Sequence, residues 1–577
     1  MLRCRTCRTE GDLGGNIAAR GTSAFILPSA LILFVGCGAG DAPPPVAVTE
    51  SPLFVEVTSE LLPVGDDGAW PDGTYFLPEI MGGGLGLVDY DNDDDLDLLQ
   101  IRFPPPGQPQ APAPNRLYRQ EPDGTFADVT AESGLGDPGY GQGVATGDAD
   151  GDGDPDVYVT NYGADAFYLN NGDGTFTDAS EPAGFAGDGW SSSAAFVDYD
   201  RDGDLDLYVV RYLELDPELQ CEGVSLAREY CAPQEFPGAV DSLYRNNGDG
   251  SFTDVAVEAG IATPGKGLGV LCADLTGDGW VDIYVANDTE VNFLWVNRGD
   301  GTFVDEAILR GVGFNVHGTA EASMGLTLGD ANRDGRLDLF MTHLQYESNT
   351  LYTATEHGVF SDDSDSSGLA MIDRPFTGFG CGFFDYDNDG DPDLAVANGG
   401  ISRGRVYPGS IGTFWNHHAE PNLLLENDGT GRFRNVSDRA GAFGGRVEVS
   451  RGLAFGDIDR DGDVDLVVGN LGGPPRIFRN DAPAPGAHWL AARVLVGERD
   501  AIGAEVTLVA GGTRYAGLAL AGYSYASSND AKVHFGLGAV DRVDAIEVVW
   551  PDGSRERFPS SDVDRVVTLR KGEGETL

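Results

Sequence analysis

The sequence predicts an all-β fold: a seven-bladed β-propeller with calcium loops, closed by an N-terminal strand, plus a small C-terminal β-domain. Three observations carry this reading. A nine-residue acidic core recurs seven times, each copy is followed by strand-like runs and a tight-turn signature, and the two ends of the repeat region are complementary pieces of one unit.

The cores begin at Asp89 ("DYDNDDDLD"), Asp148 ("DADGDGDPD"), Asp198 ("DYDRDGDLD"), Asp274 ("DLTGDGWVD"), Asp330 ("DANRDGRLD"), Asp385 ("DYDNDGDPD") and Asp457 ("DIDRDGDVD"). Their starts lie 59, 50, 76, 56, 55 and 72 residues apart, the spacing of a repeat architecture with two stretched intervals. After each core comes a short apolar run, then a segment such as "FYLNNGDGTFTDASEPAGF" (167–185). Asn-Gly and Asp-Gly between alternating apolar positions mark hairpin turns, so Asp173, Asp249 and Asp300 read as turn formers. One unit therefore reads strand, acidic loop, strand, strand, hairpin turn, strand: four antiparallel strands, one propeller blade.

The repeat region spans 51–482. "LFVEVTSELL" (53–62) matches the last strand of a unit, and the seventh unit stops after "PRIFRND" without one. Pairing the two closes the ring and removes an exposed sheet edge. Two insertions interrupt the period. Residues 211–241 carry Cys221 and Cys231, and residues 401–421 carry Phe414, Trp415, His417 and His418. The aromatic loop is expected to pack over the ring, with a contact surface as its alternative. Beyond 486 the runs "AEVTLVA", "VDAIEVVW" and "RVVTLR" predict a β-domain to about residue 572, with no polar cluster that reads as a site.

The acidic core has the form D-x-[DNT]-x-D-G-x-x-D. Calcium takes six to eight oxygens at 2.3–2.6 Å from carboxylates, carbonyls and water. Positions 1, 3, 5 and 9 are accordingly the candidate metal ligands. They are Asp89, Asp91, Asp93 and Asp97 in the first unit, and Asp148, Asp150, Asp152 and Asp156 in the second. The third has Asp198, Asp200, Asp202 and Asp206; the fourth has Asp274, Thr276, Asp278 and Asp282. The fifth has Asp330, Asn332, Asp334 and Asp338; the sixth has Asp385, Asp387, Asp389 and Asp393; the seventh has Asp457, Asp459, Asp461 and Asp465. Position 7 is expected to give only its carbonyl, because Trp280 and Arg336 stand where Asp154 does, so the Asp154 carboxylate reads as dispensable. Glycine at position 6 allows a turn a β-carbon resists, and Asp94 in that place is a strained variant. Up to seven structural Ca2+ are expected, with dissociation constants on the order of 10⁻⁴–10⁻³ M at the loose end.

A formal charge of −56 disfavours nucleic acid and anionic lipid as partners. With 41% hydrophobic and 10% aromatic residues the chain is nonetheless globular. Arg3, Arg5, Arg8 and Arg20 precede the apolar run "AFILPSALILFVG", which reads as a signal sequence over 1–37. "LFVGC" resembles a bacterial lipoprotein cleavage box with Cys37 as the lipidated residue, and 38–50 then form a linker. The protein is expected to be exported, as an outer-membrane or cell-surface lipoprotein or otherwise secreted, touching membrane only through that anchor. In an oxidising compartment Cys221 and Cys231 are expected to pair, and Cys272 and Cys381 to be buried thiols.

Motifs such as "GLAFGDIDRDGDVDLVVGN" and "GFGCGFFDYDNDGDPDLAVANGG" resemble FG-GAP/VCBS repeats, the calcium-loop blades also found in integrin α-subunit propellers. "HWLAARVLVG", "AIGAEVTLVAGG", "HFGLG" and "IEVVWPDGSRERF" resemble the ASPIC/UnbV domain. The pairing, with the "CEGVSLAREYCAP" insertion, is similar to the cartilage acidic proteins and their bacterial relatives. The resemblance implies calcium-binding, secreted or surface-attached proteins with adhesion or matrix roles, and no catalytic residue. The expectation is thus a non-enzymatic scaffold for an extracellular protein or glycan. The alternatives are a lyase-type propeller enzyme and a lectin. Seven histidines and three lysines in no catalytic arrangement speak against the enzyme.

Overall fold

The computed structural model describes residues 51–63, 70–109, 111, 113–185, 187–223, 227–409 and 414–577. The signal sequence, Cys37 and the linker lie outside the described residues. No described helix is long and apolar enough to cross a membrane.

The second unit shows the repeat. Gly141–Gly147 runs into the acidic loop, Asp156–Asn161 returns, and Ala166–Asn170 and Phe176–Asp178 form the outer hairpin. All pairings are antiparallel. The second strand is buried throughout because it has a neighbouring strand on each edge and another sheet on each face, whereas the outermost strand buries only Phe176. Seven four-stranded sheets follow this order among the described residues. Their first strands (Leu85–Val88, Gly141–Gly147, Ser191–Val197, Gly267–Ala273, Leu326–Gly329, Gly378–Phe384 and Ser450–Gly456) touch in that order, and the last touches the first. The seventh sheet takes its outer strand from Phe54–Glu56, paired with Arg476–Asn480. Sheets pack face to face through aromatic and branched residues such as Tyr208, Leu243, Ile283 and Trp295. After several outer strands comes one helical turn, as at Ser180–Ala183, ended by left-handed Gly184 (φ 94°).

The C-terminal domain has two sheets. One joins His488–Val496 to Val533–Gly538 and, in parallel, to Arg565–Arg570. The other has five strands centred on Glu505–Ala510 and Ala545–Val549. Val506, Leu508, Phe535, Ile546 and Trp550 fill the space between them.

The sequence reading missed the segment "LALAGYSYASSND". It leaves this domain and enters the centre of the ring. Ser524 exchanges backbone bonds with Leu326, the Ser528 N–H donates to the Leu85 carbonyl, and the Leu87 N–H donates to Ser528. The Val144 N–H donates to Ala526, and the Tyr525 hydroxyl donates to the Met81 carbonyl (2.9 Å). The Asn529 side chain accepts from the Phe455 N–H (3.1 Å). Glycines in or next to the first strands make room for it. A Cβ on Gly84 would stand 2.2 Å from the Ala526 carbonyl oxygen, and one on Gly452 2.8 Å from Ser527 Oγ. Those glycines serve close approach of a plug rather than turns.

Candidate functional site

Each acidic loop joins the end of a first strand to the start of a second, so all seven emerge on one face of the ring. In the second unit Asp148 accepts the N–H groups of Gly151 (2.7 Å), Asp152 (3.1 Å) and Gly153 (2.9 Å). Asp156 accepts from Ala149 (2.8 Å) and from Asn170 (2.8 Å). Positions 1 and 9 therefore shape the loop with backbone donors while their carboxylates turn inward. Left-handed φ values recur at position 6, from Gly153 (100°) to Gly462 (97°), and Asp94 adopts 69° in the same place.

Carboxylate oxygens of positions 1, 3 and 9 lie within 4.8 Å of one another in five units: Asp89/Asp91/Asp97, Asp148/Asp150/Asp156, Asp198/Asp200/Asp206, Asp385/Asp387/Asp393 and Asp457/Asp459/Asp465. The fourth and fifth units keep the loop geometry but place Thr276 and Asn332 where the third carboxylate stands elsewhere. The position-5 aspartates lie outside these groups. Asp93, Asp152, Asp202, Asp278, Asp334, Asp389 and Asp461 each accept the N–H of their own position 7 at 2.9–3.0 Å.

Burial pushes the position-9 carboxyls far above the ordinary aspartate range. Asp97 and Asp156 rise to about 8, Asp206 to about 9, and Asp282 and Asp338 to about 7. Asp393 and Asp465 are also raised well above it. Asp91 Oδ1 and Asp198 Oδ1 are buried without a hydrogen-bond partner. Crowded oxygen-only donors, buried at position 9 in every group and with orphaned lone pairs on Asp91 and Asp198, fit a hard divalent cation, and calcium better than zinc, which takes His or Cys.

Two sets of contacts that the sequence reading did not anticipate tie neighbouring loops together. The first comes from the Asn or Gln that ends the third strand in six of the seven units. Asn170 Nδ2 donates to the Tyr90 carbonyl (2.8 Å), Asn246 to Ala149 (2.7 Å) and Asn297 to Tyr199 (2.8 Å). Asn427 donates to Ala331 (2.8 Å), Asn480 to Tyr386 (2.8 Å), and Gln120 to Ile458 (2.9 Å). Each acceptor is position 2 of the preceding unit's loop. The second set runs from position 4 to position 7 of the next unit. Asn92 donates to Asp154 (2.6 Å), Asn388 to Asp463 (2.6 Å), Arg333 pairs with Asp391 (2.5 Å) and Arg460 with Asp95, while Arg201 lies over Trp280 (3.9 Å). The Asp154 carboxylate stays outside the ligand group, as expected, and serves instead as an acceptor between blades. The signal was the first Asn of "NNGDG", which serves more than the hairpin.

The FG-GAP-like repeat model matches residues 89–159, 148–209, 236–285, 274–341, 330–396 and 385–468, and the ASPIC and UnbV model matches 496–576. The chain belongs to the FG-GAP repeat family. It is 30% identical to human cartilage acidic protein 1 over 318 residues, and 29% identical to the mouse protein over 317. Each match covers 52% of this chain and under half of the relative (43% and 44%), so the chain spans less than half the length of the curated relatives it matches. Among solved structures, an Agrocybe aegerita lectin recognising non-reducing terminal N-acetylglucosamine aligns at 16% identity over 69% of this chain and 94% of its own (TM-score 0.37). BBS1N, solved in complex with ARL6DN, aligns at 10% identity over 75% of this chain and 99% of its own (TM-score 0.38). Likenesses this distant carry no functional argument.

The second strands run back from the FG-GAP loops, so the two insertions lie on the opposite face. Cys221 and Cys231 are joined there, and Cys272 and Cys381 are buried thiols. Phe414 packs on Tyr75 and Trp415 on Trp70, with Trp415 Nε1 donating to the Pro71 carbonyl (2.9 Å). The aromatic insertion thus packs over the ring. Burial lowers the His343, His418 and His534 pKa values to about 3, 4 and 4. Ser323 and Glu321 both approach His343 Nε2 (3.2 and 3.8 Å), leaving Nδ1 without a partner, so the acid does not orient the base as a hydrolytic triad needs.

Proposed function

We propose that this FG-GAP repeat protein is a non-catalytic, calcium-stiffened scaffold that holds an extracellular protein or glycan partner, exported and either anchored through Cys37 or secreted. The single observation that carries the reading is the convergence of positions 1, 3 and 9 in five loops whose neighbours are hydrogen-bonded to one another around the ring. In this reading position 5 adds an oxygen and position 7 a carbonyl. A divalent ion held there offsets the carboxylate repulsion, and its binding energy becomes folding energy. Similarity to cartilage acidic protein 1, whose name records a tissue and an acidic character, supports an extracellular role. Titration of the chelated, full-length chain with calcium, read by calorimetry and by melting, tests it. Five to seven bound ions and a large rise in melting temperature are expected, and indifference of melting to chelation overturns the reading.

A further inference from the structure

The C-terminal domain sits on the acidic-loop face. Its His534 Nε2 meets the Gly462 carbonyl (2.9 Å), its Gly538 N–H donates to Asn388 (2.8 Å), and Arg493 reaches Asp94 (3.5 Å). Between the two lies a chamber of about 480 Å³, inside the size range of small-molecule sites. Phe383, Phe455 and Tyr523 line it from the ring and plug, and Trp489, Tyr515 and Phe535 from the domain. These six aromatic residues stand apart from the calcium reading, while Asp330, Asp385 and Asp457, each the first ligand of its loop, also line the ring side.

Charge narrows what can enter. Five cations line the wall, and each is already paired. Lys532 meets both Asp530 oxygens (3.3 and 3.2 Å), Arg493 meets Asp500 (3.2 Å), Arg333 meets Asp391 (2.5 Å), Arg514 meets Glu547 (2.7 Å), and Arg460 meets Asp95. An anionic ligand would have to displace a carboxylate and approach a chain of formal charge −56. A cationic ligand would meet five acids on the same wall, but Asp94 and Asp530 are paired with Arg493 and Lys532, and both oxygens of Asp330, Asp385 and Asp457 already accept loop N–H groups, so it too would have to break existing contacts. A neutral ligand rich in hydroxyls breaks no pair, because each hydroxyl donates to an Asp and accepts from a Lys or Arg at once. The aromatic lining calls for an apolar face on the same molecule. Hydroxyl edges and an apolar C–H face together describe a pyranose ring. We propose that the chamber between the C-terminal domain and the acidic-loop face binds a neutral sugar.

The inference depends on the scaffold reading only in supposing the loops folded; loss of calcium-dependent melting would sink that reading and leave this one standing. The test uses the full chain in calcium buffer with neutral mono- and disaccharides, followed by saturation-transfer NMR and tryptophan fluorescence. Thr568 and Val566 line the chamber from exposed positions on Arg565–Arg570, so Thr568→Trp and Val566→Trp each narrow it without entering the core. At least one neutral sugar should bind saturably and lose tenfold or more of its affinity in both variants, checked for an unchanged melting temperature. Leu309→Trp, on an exposed turn of the fourth unit, should leave binding unaltered. Three outcomes overturn the proposal: no neutral sugar binds, binding survives both narrowing variants, or a uronic acid or amino sugar binds more tightly than its neutral counterpart.

Discussion

The fourth unit's loop differs from the rest of the ring in two respects at once. It has Thr276 where five units have a third carboxylate, and it lacks both ties to the unit after it. Position 4 is Gly277, which offers no side chain to the next loop, and the fifth unit ends its third strand with Ala354 where six others have Asn or Gln. Arg310 replaces those ties from another place, donating to the His357 carbonyl (2.7 Å). The loop nevertheless folds alike: Asp274 accepts from Gly277 (2.7 Å) and Gly279 (2.7 Å) as Asp148 does from its own loop. Backbone bonds from positions 1 and 9 therefore suffice for the shape, and the third carboxylate sets charge. The pKa values agree. Asp282 and Asp338 reach about 7 where the position-9 acids of the first three units reach about 8 to 9.

Removing calcium tests the comparison most severely. With about 2.7 kcal/mol per site at a hundredfold excess over the dissociation constant, chelation should lower the melting temperature by roughly 10 °C or more, the loss coming mainly from the five carboxylate-rich units. Hydrogen exchange, resolved by blade, should show the fourth loop changing least. Next comes pH. In the calcium-free protein the position-9 acids hold protons up to about 7–9, while the unfolded chain releases them near 4. The folded state thus binds more protons, so apo stability should fall as pH rises from about 4 to 9. With calcium bound the carboxylates are held ionised and the decline should vanish, which melting scans in both buffers will show.

Cutting one tie should have a smaller effect. Asn170→Ala removes the donor to two carbonyls, one of them buried with it, and should cost about 1–3 kcal/mol in denaturant unfolding. The reciprocal swap Asp150→Thr and Thr276→Asp exchanges the two kinds of loop. Calcium affinity should fall about tenfold in the second unit and rise about tenfold in the fourth, a change of about 1.4 kcal/mol each way in calorimetric titration. Ala354→Asn restores the missing donor and should raise stability by about 1 kcal/mol, measured in calcium buffer.

The blade strands and acidic loops were legible because their signals are local. Alternation, turn chemistry and a nine-residue acidic pattern each act within a few residues of chain, and seven copies reinforce one another. Ring closure was legible because "LFVEVTSELL" is a displaced copy of a repeated piece. The inter-blade contact of Asp154 was not legible because its donor, Asn92, lies one blade earlier. The plug was missed because "LALAGYSYASSND" has neither strand alternation nor a repeat, and its partners are first strands spread around the ring.

By itself the sequence determined the all-β class, the repeated unit, the closing strand and which oxygen-bearing residues crowd each loop, since burial pattern and turn geometry are properties of contiguous residues. Only the tertiary structure decided which carboxylates converge, how loops tie to their neighbours, what fills the ring and where the C-terminal domain leaves a chamber. Those features depend on residues tens to hundreds of positions apart, brought together by ring closure and sheet packing rather than by any local propensity.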